Sequence, residues 1–435
     1  MTATEQMQRA VDRRMALRLG AMAGLGAVAM PPLAWATQQP RIAPNVTALL
    51  ERWVGPGKVP GIVASLGLPG QPTQFIARGA EGFTDPDPVT QDSIFRIYSM
   101  TKPITGMAAM ILIDEGKLAL DQPLSDFIPA YAQMQVQVVP DGSIEDLRPA
   151  TRPITIRNLL THTAGLAYTI KQTGPIRDLM LARGLIPGQV TRLPIPGLFT
   201  GETVGSLAEF AERMAEIPLV YEPGTKYSYS VGLDVLGRVI EIASGQPFDQ
   251  FLQARFFDPL EMSSTGFSVS RAQSGRLVTN HVVIGGKLIP IDGPRDSVYL
   301  DEPAFPFGGA GLVSTPRDYD RFLEMLASRG MFAGRRVMSE AAVRMGTGNL
   351  LPEGVIGDTG FGPVSQYGAG GRVGIGEEAG VYGWAGAAAT VAMVDTIHGL
   401  RSQIFAQFMP PSALDLLPEF QLALREDIRA LMAAA

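Results

Sequence analysis

Residues 96–110 read RIYSMTKPITGMAAM, and they set Ser99 and Lys102 three positions apart where a helical pattern begins. Ile104, Met107, Ala108 and Ile111 recur at helical spacing until Gly116 stops the pattern. That predicts a buried helix starting at or just after Ser99. Pro103 has no N–H to donate and is tolerated in the first turn, whose amides lack intrahelical acceptors. Positions i and i+3 share a helix face, so the lysine amine falls beside the serine hydroxyl. The spacing alone decides little. With six lysines in the chain, S-x-x-K is expected by chance about 0.3 times. Chemistry gives the pair its interest: a serine is a weak nucleophile until a neighbour takes its proton. An uncharged amine can do that, and burial together with the positive end of the helix favours the uncharged form. The same helix end presents the Ser99 backbone N–H to a developing oxyanion.

The 435-residue chain is long enough for two lobes sharing one core region. Charged residues make up 18% of it, below the usual figure of about 25%, which favours a globule with a sizeable core. Its net charge of -6 comes without any basic block, so the electrostatic footprint of a nucleic-acid binder is missing. The absence of cysteine excludes disulfides, thiolate metal sites and cysteine nucleophiles. His162, His281 and His398 stand more than a hundred residues apart and no H-E-x-x-H occurs, so neither a metal nor a cofactor is expected. Gly374, Gly376 and Ala379 imitate a dinucleotide fingerprint, but they precede a strand pattern instead of opening a helix.

Residues 1–36 differ from the rest. Arg13 and Arg14 precede an apolar run from Leu19 to Met30, and Ala34-Trp35-Ala36 offers a small-x-small cleavage site. This pattern predicts an export signal, twin-arginine-like in its paired arginines, and a mature chain starting near Thr37 in the bacterial periplasm or outside the cell. The apolar run is too short to span a bilayer well, so no stable membrane span is expected in the mature form.

Along the mature chain, a short helix (46–54) precedes two strands (61–68 and 74–80) joined by a Pro-Gly turn. Residues 154–299 are helical and loop-rich, with helices over 206–217 and from Val231 to a stop at Gly245, and a proline- and glycine-broken flap over 185–202. A helix over 316–328, strands over 388–395 and 401–408, and an amphipathic terminal helix follow. The expected architecture is α/β of the α+β kind: an antiparallel sheet flanked by helices from residues 45–153 and 300–435, with residues 154–299 inserted as a helical lobe.

Two further stretches complete a constellation. In YEPGTKYSYSVGLDVLG (221–237), Tyr229 sits after a Pro223-Gly224 turn and just before a helix. A phenol beside a lysine ammonium can shuttle protons, and on residues alone Tyr227 fits equally well. In YGWAGAAATVAMVD (382–395), a Gly- and Ala-rich approach to an edge strand lets substrate lie against backbone, and the Ala387 N–H can serve as a second oxyanion donor.

These three stretches, in this order, resemble the serine β-lactamase and penicillin-binding protein superfamily, most closely its class C-like esterase branch, the family VIII carboxylesterases. ITIRNLLTHTAGL (154–166) and GGAGLVSTPRDYDRF (308–322) are similar too. The resemblance implies Ser99 as acylated nucleophile, Lys102 as its proton acceptor, Tyr229 as partner base, and the Ser99 and Ala387 amides as the oxyanion hole. It also implies Trp384-Ala385-Gly386 in place of a lysine-threonine-glycine triplet. Two departures bear on substrate. Val231 stands where the pattern has an asparagine amide, and Trp384 where it has a cation. Lacking those polar partners, the site is expected to disfavour charged β-lactams and D-alanyl peptides and to favour neutral short- to medium-chain esters. G-x-S-x-G does not occur, which disfavours an ordinary Ser-His-Asp hydrolase. The alternatives are a β-lactamase, a D-amino peptidase, a transacylase, or a non-enzymatic ligand-sensing or cell-wall-binding module.

Overall fold

The computed structural model describes residues 43–55, 57–195, 202–358 and 364–434. The expected export signal and mature start lie outside them, as do residues 196–201 of the flap. Two compact units are formed, one by residues 54–413 and one by the two ends of the chain. No helix among the described residues is long and apolar enough to cross a membrane.

The larger unit is organised by a seven-stranded antiparallel sheet. Its strands are β1 (Gly61–Gly67), β2 (Gln74–Gly79), β3 (Gln366–Tyr367), β4 (Arg372–Val373), β5 (Val381–Gly386), β6 (Thr390–Asp395) and β7 (Leu400–Phe405). Their spatial order is β3-β4-β5-β6-β7-β1-β2. This is the mixed α/β architecture expected from the sequence. Successive side chains of a strand alternate between faces. The register Trp384↔Ala392↔Gln403 therefore puts these three on one face, together with the neighbouring Gly386↔Thr390↔Phe405 row.

Three helices matter for the site: α1 (Thr101–Asp114), α2 (Gly232–Ser244) and α3 (Pro316–Ala327). On the Trp384 face, Gln403 donates to the Pro316 carbonyl at 2.6 Å, and Arg401 pairs with Asp320 at 3.1 Å. Thr315 caps α3 by accepting the Asp318 N–H, and Gly245 ends α2 in the left-handed region. Residues 101–112 of α1 are all buried, because the helix is apolar nearly all round.

Two expectations need correction. Residues 381–386 are a strand in their own right, third in the sheet order, and not an approach to an edge strand. Gly383 and Gly386 disguise it, since glycine weakens a strand signature. The close approach requires them: a Cβ on Gly383 would fall 2.1 Å from the Ala392 carbonyl oxygen. Within residues 154–299, the helix-and-loop reading omits a hairpin of Asn280–Ile284 and Lys287–Asp292, with Phe408–Met409 parallel to its first strand. Its turn residues Gly285 and Gly286 both have positive φ, as tight hairpin turns need.

In the terminal unit, the helices are Pro44–Trp53 and Leu416–Ala434. The buried Asp427 carboxylate accepts the Asn45 and Val46 amides at 3.0 and 2.9 Å, satisfying donors that a helix N-terminus leaves open.

Candidate active site

Ser99 lies in a 3-10 turn, Tyr98–Met100, that runs directly into α1. Tyr98 has φ +41°, a strained value for a bulky residue. The turn is held from both sides. Arg96, three residues earlier, donates its backbone N–H to Gln407 Oε1 at 2.8 Å, and Ile97 donates to the Leu312 carbonyl at 3.1 Å. Ser99 is half-buried, whereas Lys102 is completely buried.

The expected i, i+3 pairing is present: Lys102 Nζ donates to Ser99 Oγ at 3.2 Å. Its other hydrogen bond goes to the Gly309 carbonyl at 2.6 Å, and it lies 4.6 Å from the centroid of the Tyr229 ring. The Tyr229 hydroxyl donates to Ser99 Oγ at 2.8 Å. Of the two tyrosines that the sequence left open, Tyr229 is therefore the one bonded to Ser99. The Tyr227 ring packs instead against His162 and Tyr367.

Trp384 on β5 is buried against this pair. Its ring stacks on Tyr229 at 5.9 Å with a 30° interplanar angle, and its Nε1–H points to the Tyr229 hydroxyl at 3.4 Å. Gly386, two residues on, faces the Ser99 turn so closely that a Cβ would lie 2.4 Å from the Ile97 carbonyl oxygen. That contact brings the end of β5, and hence Ala387, beside the turn. Ala387 and Tyr98 share a small apolar cluster with Val190 and Ile195 of the flap. Two expected residues stand apart. Strand alternation turns the Ala385 side chain to the opposite face from Trp384. Val231 is fully buried at the start of α2, inside the core.

Several residues of the cluster carried no functional expectation. His162, at φ +54°, accepts the Ser230 N–H on Nδ1 at 3.1 Å, and its ring lies 4.6 Å from that of Tyr229. Burial, reinforced by the Lys102 charge, holds His162 well below the ordinary histidine range, so it stays neutral. Burial likewise pushes the phenols of Tyr168 and Tyr227 well above the usual range. Asp234 is buried on α2, and its carboxyl is pushed up to about 6 by burial, against the opposing pull of Lys102 and of the Gly309 N–H. A charged residue amid Leu233, Val235 and Leu236 was a visible anomaly in the sequence. The Gly309 carbonyl is backbone, and no residue type signals it. Among the described residues, no group of three or more His, Asp or Glu side chains is arranged to hold a metal ion.

An antiparallel sheet faced by helices, with a half-exposed serine bonded to a buried lysine and a buried tyrosine, defines the serine β-lactamase and penicillin-binding protein class. The Beta-lactamase family model matches residues 44–424, and the chain belongs to that family. Esterase EstB of Burkholderia gladioli is 30% identical over 328 residues, covering 70% of this chain and 75% of its own. Protein Rv1367c of Mycobacterium tuberculosis is 37% identical over 271 residues, 61% of this chain, and the match spans about 62% of that protein's length. Among solved structures, EstCE1, described as a hydrolase with promiscuous acyltransferase activity, superposes with a TM-score of 0.70 at 24% identity, covering 87% of this chain and 97% of its own.

Proposed function

We propose that the protein is a serine hydrolase that cleaves neutral carboxylic esters through an acyl-Ser99 intermediate. The observation that carries this reading is the convergence of Lys102 Nζ and Tyr229 OH, 3.2 and 2.8 Å away, on the Ser99 oxygen. In the first half-reaction Ser99 Oγ bonds to the ester carbonyl carbon while its proton passes to the Lys102–Tyr229 pair. The Ser99 and Ala387 amides receive the oxyanion. The bond to the alkoxy oxygen then breaks, and the proton held by the pair goes to the departing alcohol. Water repeats the sequence on the acyl-serine, releasing the acid and restoring Ser99.

The choice of neutral esters rests on Trp384. Where the family pattern has a cation, an indole is packed onto Tyr229, so a substrate carboxylate would lose water there without gaining a charged partner. The relationship to an esterase at 30% identity supports the same choice. We infer a sheet domain from residues 45–153 and 300–435 and a helical lobe from residues 154–299, and an exported protein whose mature chain starts near Thr37. N-terminal sequencing of the protein from its native compartment tests the export reading.

Mass spectrometry after treatment with a fluorophosphonate tests the central reading. One adduct on Ser99 is expected, lost in Ser99→Ala together with turnover of a short-chain nitrophenyl ester, a fall of about 10⁴-fold or more. Unchanged activity in that variant would defeat it and leave the binding-module alternative. Faster turnover of a chromogenic cephalosporin than of the ester would shift the assignment to a β-lactamase. Ester products formed when alcohols are added would identify a transacylase.

A further inference from the structure

Asp234 takes no part in the reaction as written above, although the backbone of one residue, Gly309, bonds both its carboxylate and Lys102. Oδ1 accepts the Gly309 N–H at 2.8 Å, and the carbonyl of the same residue accepts Lys102 Nζ at 2.6 Å. Gly309 lies close against the acid: a Cβ there would fall 2.5 Å from Asp234 Oδ2. Next to it, Thr105 of α1 donates to the Gly308 carbonyl at 2.7 Å, so the same helix that carries Lys102 also pins the loop. The titratable groups facing this pair are His162, Tyr168 from the loop after it, and Tyr229. Burial keeps the Tyr168 phenol and the His162 imidazole neutral. Asp234 is thus the anion available to an amine that must become an ammonium when it takes the serine proton.

We propose that Asp234 is a positioning residue: through the backbone of Gly309 it aims the Lys102 amine at Ser99, and its charge balances the ammonium formed during acyl transfer. This rests on the Ser99 reading given under Proposed function. It assigns Asp234 no contact with substrate.

The charge argument has a pH signature. Burial pushes the Asp234 carboxyl up to about 6, from an ordinary value of 3.8. Below that pH the acid is protonated and the balancing charge is gone, so Ser99 acylation slows as pH falls through about 6. Stability has the opposite sign. A carboxyl whose folded value is raised contributes most below its unfolded value and loses that contribution as pH rises through the folded one. A neutral asparagine in its place is therefore expected not to lower the unfolding temperature at pH 7.5.

The experiment compares the parent, Asp234→Asn and Asp234→Ala, all full-length, by nitrophenyl ester kinetics and by fluorophosphonate labelling of Ser99 from pH 4.5 to 8.5. Asp234→Asn keeps an acceptor for Gly309 and loses the charge. Its kcat is expected to fall about 10-fold to 100-fold with KM within about twofold, as for a misaligned catalytic group. Its labelling rate should lack the limb near pH 6 that the parent shows. Asp234→Ala, which also loses the acceptor, should fall further. Parent-like kcat and pH profile in folded Asp234→Asn would overturn the proposal. So would a parent labelling rate that stays flat through pH 6 while its circular dichroism is constant, a result that needs no variant. A parent never labelled on Ser99 would defeat the Ser99 reading and this inference with it, and is distinguishable because no rate exists to compare.

Discussion

Arg96 and Lys102 are six residues apart, one on each side of Ser99, and both are completely buried basic side chains. They are treated in opposite ways. Arg96 is saturated: Nε donates to Asp292 Oδ2 at 2.8 Å, Nη1 to the Val278 carbonyl at 2.6 Å, and Nη2 to Asp292 and to Ser297 Oγ. Asp292 in turn accepts from Ser297 Oγ and from the Val298 N–H, at 2.6 and 2.9 Å. Lys102 has neutral hydrogen-bond acceptors, Ser99 Oγ and the Gly309 carbonyl, and the faces of two aromatic rings. A buried charge that is fully paired has nowhere to send a proton and nothing to gain by moving. One held by neutral acceptors can change its protonation state with little rearrangement around it. The difference separates the residue that fixes the turn from the one suited to work at it.

Exchanging each basic residue for methionine sharpens this contrast, and it is the largest expected effect. Arg96→Met leaves the Asp292 carboxylate buried with its main partner removed, a loss of about 3–5 kcal/mol in urea unfolding. Lys102→Met removes a buried amine whose hydrogen-bond acceptors are neutral, so stability should change by less than about 2 kcal/mol. Ester turnover should nonetheless drop about 10³-fold. If Lys102→Met unfolded as easily as Arg96→Met while keeping its activity, the contrast would collapse and Lys102 would be a structural cation.

The serine and lysine were legible because their juxtaposition is local: a helix imposes it through i, i+3 geometry, whatever the rest of the chain does. Tyr227 and Tyr229 could not be separated that way. Two positions apart, both rings pack against His162, and what distinguishes them is the partner each hydroxyl meets, a tertiary fact. The sheet was legible in β1 and β2, whose apolar runs are bounded by turn residues. It was hidden in β5, where Gly383 and Gly386 trade strand propensity for close approach to β6 and to the Ser99 turn. The 280–292 hairpin was overlooked although Gly285-Gly286 between apolar runs announces such a turn. The Gly309 carbonyl is a different case, because backbone groups leave no trace in residue identity.

The two tyrosines offer a smaller effect and a sharper one. Tyr229→Phe removes the hydroxyl 2.8 Å from Ser99 while keeping the ring over Lys102. A fall of about 10²-fold in kcat is expected, with fluorophosphonate labelling slowed in parallel. Tyr227→Phe removes a buried hydroxyl that makes no bond to Ser99 or Lys102, and should change kcat by less than about twofold. Equal losses in the two variants would show that the ring cluster around His162 acts as a unit and not through one hydroxyl.

Trp384 tests how far the active cluster extends into the sheet. Its indole N–H reaches the Tyr229 hydroxyl at 3.4 Å, a long contact, so its loss in Trp384→Phe should cost about 1 kcal/mol, roughly 3-fold to 10-fold in kcat/KM. The aromatic stack on Tyr229 is largely kept by phenylalanine, which isolates the hydrogen bond from the packing. The decisive measurement is the double variant. If Trp384 works by orienting the Tyr229 hydroxyl, removing the indole from a chain that already carries Tyr229→Phe should cost less than about twofold, because the group it orients is gone. If the two losses multiply instead, Trp384 acts independently of Tyr229, as a wall met by substrate, and the boundary between the paired scaffold and the reactive cluster moves outward from the Ser99 turn to include β5.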